Sequence, residues 1–568
     1  MMEQCRDNPI HANRMMRVIC IGAGPSGLYL AYKLKTSFTD YTLEVYEKNE
    51  DIGGTWFESR YPGCTCDVPS HMYTYSFEPK WDWSAVYPSA PEIHGYFSGF
   101  ADKHGLRGLI NCNHRVVGAT WDDANSEWVV RIRDFKMAVF ERRCDFLVNA
   151  AGYLNTWRWP SIPGLGSFNG KLLHTANWDK SLSLAGKRVG LIGNGSSGIQ
   201  LLPELQRTAE HVIAFIRAPT WVIPELKYAQ RRYTEEEKQT LRDNPGKLLQ
   251  LRKDIEANYA TFLPLFLKDT ISQKAATQRS TRLMTDTIRD DSLAKKLIPE
   301  HPFGSRRLTA STDYLDCFKK PNVTPVFGSI KEITQSGSTM LDGSKYALDV
   351  LVCATGFHTN FRPTFPLIGR NDTNLAEAWE KEPRSYLGVA AHGFPNYFMF
   401  LGPNSPLANS PLIVCIEAQG HYIAKFLNRW QKENIRTFEP KLEAVDDFIE
   451  QKDLFMKKTI WESDCRSWFK NANTGKISGL WPGSGLSYIE ALAVQRFEDF
   501  HVTYTTRNRF TYLGNGFSQT HLQPKSDLTY YVRNEDHGES VFPGLMSIYN
   551  AKDTAATVAA KEVMGLSF

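Results

Sequence analysis

The feature that most constrains this chain is a glycine-rich turn between a strand and a helix, which occurs twice. The first copy is Gly22-Ala23-Gly24-Pro25-Ser26-Gly27, and the second is Gly193-Asn194-Gly195-Ser196-Ser197-Gly198, about 170 residues later. An apolar strand pattern precedes each copy, helical spacing follows it, and a second strand pattern comes next. Such units build parallel sheets, so the duplication predicts an α/β protein with two Rossmann-like three-layer dinucleotide-binding domains.

The first turn has the residues that a bound dinucleotide requires. Gly22 permits a tight turn, Gly24 lets the backbone approach a pyrophosphate, and Gly27 lets the helix pack against the strand. Ser26 lies at the helix start, where free N–H groups and a partial positive charge favour phosphate. Glu47 ends the second strand, 25 residues after Gly22. A carboxylate at that position accepts hydrogen bonds from an adenosine ribose.

Two further small-residue turns indicate that this dinucleotide is FAD. Gly53-Gly54-Thr55-Trp56 follows soon after Glu47, and we expect this turn to line the flavin side of the cofactor. Far downstream, an apolar strand over 349–354 ends in Thr355-Gly356. We assign this strand to the same nucleotide, because small residues let a backbone touch a ligand closely.

The second turn predicts NADPH. Its second strand ends in Arg217 instead of an acid, 24 residues after Gly193. A guanidinium can bind a 2′-phosphate in a bidentate pair, whereas a carboxylate would repel it. The alternative is that Arg217 only faces solvent at the end of the sheet.

Composition excludes several other classes of protein. The net charge of +4 on 568 residues predicts neither a nucleic-acid partner nor an anionic membrane surface. The sequence contains no uninterrupted run of 18 apolar residues, so we predict no membrane span. We also predict no signal peptide before the first strand. The ten cysteines lack paired spacing, which favours a reducing, cytoplasmic environment. We predict no metal site, because no residue cluster has metal-ligand spacing. No feature of the sequence predicts an obligate protein partner.

Two longer patterns resemble the type I Baeyer–Villiger monooxygenases, in particular members from fungal secondary metabolism. The family fingerprint is present at Phe168-x-Gly170-x-x-x-His174-x-x-x-Trp178-Asp179, between the two nucleotide units. A second family pattern is present at Gly53-Gly54-x-Trp56, followed by Tyr61-Pro62-Gly63-x-x-x-Asp67. The resemblance covers about residues 15–485. His174 lies in a connector, so we interpret it as a structural residue and not as a catalytic base.

The resemblance also implies roles for further residues. Arg307 takes the position of the active-site arginine, with Asp67 as its partner; a purely structural ion pair is the alternative. Arg306 lies where the family places a basic residue near the 2′-phosphate, and Trp468 lies in the loop that closes over NADP. We further predict the following cofactor contacts: Val68 and Tyr73 for FAD, and Thr65, Cys66 and Asp67 for NADP.

The implied activity is insertion of one oxygen of O2 next to the carbonyl of a ketone through a C4a-peroxyflavin, on a bulky natural-product intermediate. A permanently charged Arg307 would keep the peroxide anionic and stabilise the oxyanion that forms at the ketone. The main alternative is a flavin-dependent hydroxylase or heteroatom oxygenase on the same scaffold. A nucleotide reductase is disfavoured because no C-x-x-C dithiol is present, and a non-enzymatic flavoprotein because both glycine turns are intact.

These assignments divide the chain into six segments. They are a first FAD-binding segment at 15–160, a first NADP-binding segment at 161–225, a charged helical insertion at 226–300, a second NADP-binding segment at 301–348, a second FAD-binding segment at 349–485, and a C-terminal extension at 486–568. The NADP domain is thus predicted to be inserted in the FAD domain.

Overall fold

Two five-stranded parallel sheets form the centre of the computed structural model. The structure describes residues 7–223, 228–311, 313–407, 410–471, 473–522, 525–529 and 532. In spatial order, the first sheet contains Tyr397–Met399, Phe146–Asn149, Met16–Ile21, Tyr41–Tyr46 and Ile110–Asn111. The second sheet contains Val323–Phe327, His211–Ile216, Arg188–Ile192, Val350–Cys353 and Lys171–His174.

The alternation of side chains along each strand makes both sheets the middle layer of three. In the first strand, Val18 and Cys20 pack with one apolar cluster, while Ile19 and Ile21 pack with another on the opposite face. Helices cover the first face, and an antiparallel meander covers the second. The second sheet repeats this arrangement. The meanders consist of Arg115–Asp122, Glu127–Arg133 and Val139–Cys144 in the first domain, and Ile330–Thr334, Gly337–Met340 and Lys345–Ala347 in the second.

The two domains have the same layers and the same order of four of their five strands, which confirms the predicted fold class; they differ in the edge strand, which comes last in the chain in the first sheet and first in the second. Each glycine turn follows the central strand of its sheet and leads into a helix, Pro25–Ser37 or Ser196–Thr208. The chain leaves the first sheet after Phe146–Asn149 and builds the whole second sheet before it returns at Tyr397–Met399. The second nucleotide-binding domain is therefore inserted in the first, as predicted.

One strand that was predicted for the first domain lies in the second domain. Val350–Cys353 pairs in parallel with Arg188–Ile192 and with Lys171–His174, so it belongs to the second sheet. The predicted boundary at 349 is therefore wrong for this strand. Its counterpart in the first sheet is Phe146–Asn149, which the sequence analysis did not single out. Periodicity identifies a buried strand but does not decide which sheet it joins.

Helices dominate the segment predicted as an insertion, whose residues 226–227 lie outside the described range of the chain. They are Glu235–Asp243, Pro245–Ala260, Ile271–Ile288 and Asp291–Leu297. Two short strands, Val222–Ile223 and Thr309–Ala310, pair at the base of the segment. This pairing holds the chain ends of the insertion together, directly after Arg306 and Arg307.

The C-terminal region of the chain completes the first domain. Helix Leu412–Lys432 packs against the first nucleotide helix, and strand Phe500–Tyr504 pairs with Ile435–Pro440. The predicted boundary at 486 falls inside helix Gly485–Ala493, whose Leu492 is buried in the first core. The extension as far as Phe500 thus belongs to that domain, and residues 533–568 lie outside the described residues. The remaining helices are Thr55–Glu58, Ala90–Lys103, Asp313–Cys317, Leu375–Ala378, Leu442–Met456 and Gln519–Leu522.

Candidate functional site

The first glycine turn is too crowded for side chains. Gly22 has φ +99°, and a Cβ there would lie 2.8 Å from the Ala150 carbonyl oxygen. A Cβ on Gly27 would lie only 2.0 Å from the carbonyl oxygen of Gly22. Ser26 is buried at the start of the helix. Both glycines are therefore required by the geometry of the turn itself, before any ligand is considered.

Glu47 is directed at this turn. Its side chain is nearly buried, with 4% exposure, and it accepts hydrogen bonds from the backbone N–H groups of Ala23 (2.8 Å) and Asn49 (3.0 Å). Burial raises the pKa of Glu47, although these two hydrogen bonds oppose the shift. The carboxylate thus lies beside the phosphate turn, where a ribose could reach it.

The second Gly-Gly turn faces the first turn. A Cβ on Gly54 would lie 3.1 Å from the Cα of Gly24, and the Gly53 N–H donates to the Ala23 carbonyl at 3.0 Å. Thr55 then starts a short helix, and Trp56 donates from Nε1 to the Tyr73 hydroxyl at 3.1 Å. The two turns form a backbone-lined cradle that a Cβ would narrow, which fits a pyrophosphate and the flavin side of FAD.

The second glycine turn repeats the geometry of the first. Gly193 has φ +107°, and a Cβ on Gly198 would lie 2.1 Å from the Gly193 carbonyl oxygen. Around Gly195, by contrast, an added Cβ would meet no atom within 4 Å, so this glycine leaves open space for a pyrophosphate. Asn194 donates from Nδ2 to the Ala218 carbonyl (2.9 Å), and the Ser196 hydroxyl bonds that of Thr309 (2.7 Å). Ser197 follows in the first turn of the helix.

Thr355 and Gly356 lie beside the second turn. A Cβ on Gly193 would meet the Ala354 carbonyl oxygen at 2.5 Å, just before this pair. Thr355 donates from its hydroxyl to the Arg158 carbonyl at 2.9 Å, in the connector between the domains. These residues follow a strand of the second sheet and not of the first, and their predicted contact with FAD stays a prediction.

Arginine side chains converge at the end of the second strand. Arg217 lies there, and the partial burial of its side chain lowers its pKa, as do the charges of Arg466, Arg306 and Arg158. Arg306 donates to the Pro219 carbonyl at 3.4 Å, and its buried Nε has no hydrogen-bond partner among the described residues. Repulsion between these cations would be relieved by a dianion such as the 2′-phosphate of NADPH. Arg158 and Arg466 were missed from the sequence because neither lies in a nucleotide-binding motif.

Arg307 and Asp67 form a bidentate pair between the domains. Nε of Arg307 donates to Oδ2 of Asp67 at 2.9 Å, and Nη2 donates to Oδ1 at 2.8 Å. Nη1 donates to the carbonyl of Leu407 at 3.0 Å. Burial lowers the pKa of Arg307, but the neighbouring Asp67 carboxylate outweighs this effect, and the net pKa is raised. The guanidinium therefore carries a fixed positive charge.

Aromatic rings lie next to this pair. The ring of Tyr153 stacks with Trp468 at a centroid distance of 5.6 Å and with Phe361 at 5.9 Å. Charge coupling between Tyr153 and Arg307 places the phenol near the guanidinium. Trp468, predicted to lie in a loop over NADP, is thus at the domain junction. Tyr153 was missed, because an aromatic residue after a buried strand has no distinctive pattern.

The loop that carries Asp67 also joins the two domains. Gln200, in the second nucleotide helix, accepts from the Tyr61 hydroxyl (2.6 Å) and donates to the carbonyl oxygen of Thr65 (3.0 Å). A Cβ on Gly63 would lie 2.6 Å from the Gln200 carbonyl oxygen. Thr65, Cys66 and Asp67 therefore lie between the two glycine turns. Val68 follows them, partly buried against the first core.

The cysteines in this loop are not suited to redox chemistry. Cys64 and Cys66 are both unbonded and buried. Burial raises the pKa of Cys64 to about 11, so its thiolate is scarce at neutral pH. Among the residues that the structure describes, no group of three His, Cys, Asp or Glu side chains could hold a metal ion.

The fingerprint residues form the edge strand of the second sheet and its flanks. A Cβ on Gly170 would lie 2.4 Å from the Asp349 carbonyl oxygen and would also meet the ring of Phe168. His174 ends the strand and stacks on Trp157 at 4.7 Å, and burial lowers its pKa to about 4. Trp178 packs partly against the second core, and Asp179 accepts from Lys171 at 2.9 Å. These contacts agree with a structural role.

Comparison with known proteins identifies the family. A model described as flavin-binding monooxygenase-like (FMO-like) matches residues 15–235. The FAD-binding monooxygenase tazF of Aspergillus terreus is 37% identical over 535 residues, which cover 91% of this chain and 95% of that protein. A Baeyer–Villiger monooxygenase of Streptomyces coelicolor is 33% identical over 474 residues, which cover 83% of this chain and 89% of that protein. This chain belongs to the Baeyer–Villiger monooxygenases.

Solved structures agree with this assignment. A cyclohexanone monooxygenase from Rhodococcus sp. Phi1 bound to NADP+ matches this Baeyer–Villiger monooxygenase with a TM-score of 0.76 and 28% identity, over 87% of this chain and 100% of that one. OTEMO in complex with FAD and NADP matches with a TM-score of 0.77 and 26% identity, over the same shares of the two chains. The predicted flavin-dependent monooxygenase class and the cofactors FAD and NADPH are confirmed. No helix within the described residues of this Baeyer–Villiger monooxygenase is long and apolar enough to span a membrane.

Proposed function

We propose that this monooxygenase inserts one oxygen atom of O2 next to the carbonyl of a ketone and so forms an ester or a lactone. The observation that carries the proposal is the Arg307–Asp67 pair, a fixed cation held by two hydrogen bonds at the junction of the two nucleotide domains. When bound, reduced FAD would supply the activation of O2. The protein orients the reactants and supplies electrostatic stabilisation.

Arg307 has the properties that this chemistry needs. Its guanidinium does not lose its proton at any working pH, so it can stabilise an anionic oxidant and the oxyanion formed when a ketone is attacked. Asp67 and the Leu407 carbonyl accept from three of its nitrogens and hold the fork in one orientation. The positive charge is thus positioned before the substrate arrives.

We also propose a bulky natural-product ketone as the substrate. Support comes from the resemblance of the sequence to members from fungal secondary metabolism, and from the fungal relative tazF. A hydroxylase or heteroatom oxygenase on the same scaffold is the second candidate. The retained fingerprint at Phe168–Asp179 favours the ketone oxygenase.

The test combines isotope labelling with substitution of Arg307. With NADPH, 18O2 and a panel of polycyclic ketones, we expect esters or lactones that contain one 18O atom. Arg307→Ala should still be reduced by NADPH, but oxygenated product should fall by about 10²–10³-fold, with the electrons released as H2O2. Full oxygenation by Arg307→Ala would overturn the assigned role, and a hydroxylated ketone as the product would favour the second candidate.

A further inference from the structure

One arginine anchors the long helix of the insertion to the FAD domain. Arg252, in helix Pro245–Ala260, donates to the carbonyls of Ser76 and Tyr75 at 2.9 Å each and to the hydroxyl of Thr74 at 3.3 Å. Ile255, one turn later, is buried. The last turn of this helix, which follows Ile255, is therefore held in a defined position relative to the FAD domain.

The chain beyond this helix contacts the segment that carries Arg307. Phe266 packs against Gly304, where an added Cβ would lie 3.0 Å from the ring, and it stacks on Trp461 at 5.1 Å. Trp461 in turn donates from Nε1 to the Gly304 carbonyl at 3.2 Å. Gly304 is three residues before Arg307, so these packing contacts tie the end of the helix to the proposed active site.

The last turn of the helix carries two unused hydrogen-bonding groups. Nδ2 of Asn258 and the hydroxyl of Tyr259 are both buried, and neither has a hydrogen-bond partner among the described residues. The ring of Tyr259 packs on Phe262 with centroids 4.9 Å apart, which limits its freedom to turn towards solvent. A buried polar group without a partner costs about 1–3 kcal/mol, so two neighbouring ones indicate a place for a ligand.

Ring contacts place Tyr259 near the reacting centre, because its ring packs on Phe262, which lies in the same apolar cluster as Trp468, and Trp468 stacks on Tyr153. Burial raises the pKa of Tyr259, and the nearby Tyr87 and the Asp67 carboxylate raise it further, against the opposing charge of Arg307. The phenol therefore keeps its proton and remains a neutral hydrogen-bond donor. The charges of both Arg307 and Asp67 act on it. A substrate whose reacting carbonyl lies at Arg307 could thus reach Asn258 and Tyr259 with another part of the molecule.

We propose that Asn258 and Tyr259 form a second recognition site, which binds a neutral oxygen of the substrate other than the reacting carbonyl. The site favours ketones that carry a second oxygen function, such as a phenol, an ether or another carbonyl. Two uncharged groups would not compensate the charge of a carboxylate or phosphate, so the oxygen they bind is uncharged. This inference rests on the proposed ketone oxygenation and specifies its substrate class.

The test compares two ketones that differ by one hydroxyl group, 2-tetralone and 6-hydroxy-2-tetralone. We expect the FAD-loaded protein with NADP+ to bind the hydroxylated ketone about tenfold more tightly, measured by quenching of tryptophan fluorescence. Tyr259→Phe and Asn258→Leu should each reduce the ratio of the two affinities by about fivefold to tenfold, and the ratio of the two kcat/KM values in turnover should fall in parallel. The effect should lie in KM and not in kcat.

A matched control is Tyr228→Phe, in the same region, whose hydroxyl contacts the Asp254 carbonyl at 3.5 Å. This control should keep the ratio of the native protein. Equal affinities for the two ketones in the native protein, or an unchanged ratio in both Tyr259→Phe and Asn258→Leu, would overturn the recognition site. Preferential binding with H2O2 as the only product would instead overturn the proposed function and leave the recognition site standing.

Discussion

At the scale of single residues, missing side chains define the cofactor sites as much as present ones do. In each glycine turn, the third glycine lies so close to the first that one added carbon would meet a carbonyl oxygen at about 2 Å. Gly195 differs from them, since the space around it is open and free for a ligand. The motif therefore combines glycines needed by the fold with a glycine that leaves space where the nucleotide is predicted to bind.

The first prediction concerns Gly198. Its Cβ in Gly198→Ala would lie 2.1 Å from the Gly193 carbonyl oxygen, so the second turn must move. We expect the protein to keep its FAD, while the KM for NADPH rises by at least about tenfold, measured by flavin reduction under anaerobic conditions. Gly166→Ala, where an added Cβ meets nothing within 4 Å, is the control and should behave as the native protein. An unchanged KM in Gly198→Ala would contradict the assigned NADPH site.

The second prediction concerns the pH dependence of stability at Glu256. Burial raises the pKa of Glu256 from 4.5 to about 7. The positive charge of Arg252 opposes this increase in pKa only in part, and the negative charge of Glu417 adds to it. The folded protein thus holds this proton more tightly than the unfolded chain does. The resulting stabilisation is complete below about pH 4.5 and is lost as the pH rises to about 7.

Glu256→Gln should remove this dependence. We expect its melting temperature to match that of the native protein near pH 5 and to exceed it at pH 8, with a difference in unfolding free energy of at most about 3 kcal/mol. Glu236→Gln, at an exposed position of the same insertion, should show no such crossover. A constant difference between Glu256→Gln and native protein across this range would show that the carboxyl does not titrate there.

At the scale of elements, Arg252 makes the most hydrogen bonds among the described side chains that fasten helix Pro245–Ala260 to the FAD domain, while Gln230 and Lys268 hold other parts of the insertion. Arg252 donates to several acceptors in the segment 71–76, whereas most other charged side chains of the insertion lie at its surface. Burial lowers the pKa of Arg252, but its hydrogen bonds to carbonyl oxygens satisfy the charge. Arg252 therefore helps to fix the position of helix Pro245–Ala260.

We expect Arg252→Met to destabilise the folded protein by about 2–4 kcal/mol, because carbonyl oxygens in a partly buried place lose a charged donor. The measurement is urea unfolding followed by tryptophan fluorescence. Arg282→Met is the control in the same insertion, since that side chain is 85% exposed and pairs with Asp286 only at 3.6 Å; its effect should stay below about 0.5 kcal/mol. Similar losses for both variants would contradict the anchoring role.

At the scale of the whole molecule, the loop 61–67 links the two nucleotide sites. It carries Asp67 and touches the second nucleotide helix through Gln200. Loss of these hydrogen bonds would make the relative position of the two cofactor sites less fixed, without altering either glycine turn. The relative position of the two domains is thus open to a test that leaves both binding sites intact.

Gln200→Ala should keep its FAD content and its affinity for NADP+, but flavin reduction by saturating NADPH should slow by about fivefold or more. About 1 kcal/mol per lost hydrogen bond corresponds to this range. Arg207→Ala, on the exposed side of the same helix, is the control and should be reduced at the native rate. Native reduction rates in Gln200→Ala would show that this contact does not set the distance for hydride transfer.

The sequence by itself determined the two nucleotide-binding units, because a strand, a glycine turn and a helix are specified by neighbouring residues. It also predicted the cofactor of each unit, FAD from the Gly53-Gly54 turn that follows Glu47, and NADPH from Arg217 at the end of the second strand of the second unit. The Arg307–Asp67 pair, 240 residues apart, was predicted only through the resemblance to a family. Local patterns hold no information on contacts of that separation.

Only the tertiary structure decided which sheet Val350–Cys353 joins, and which cations gather at Arg217. It also brought Tyr153 and Tyr259 towards the Arg307–Asp67 pair. The physical reason is the same in each case. An apolar strand can be buried in either sheet, and a single arginine or tyrosine has no periodicity, so its neighbours are set by the packing of distant segments.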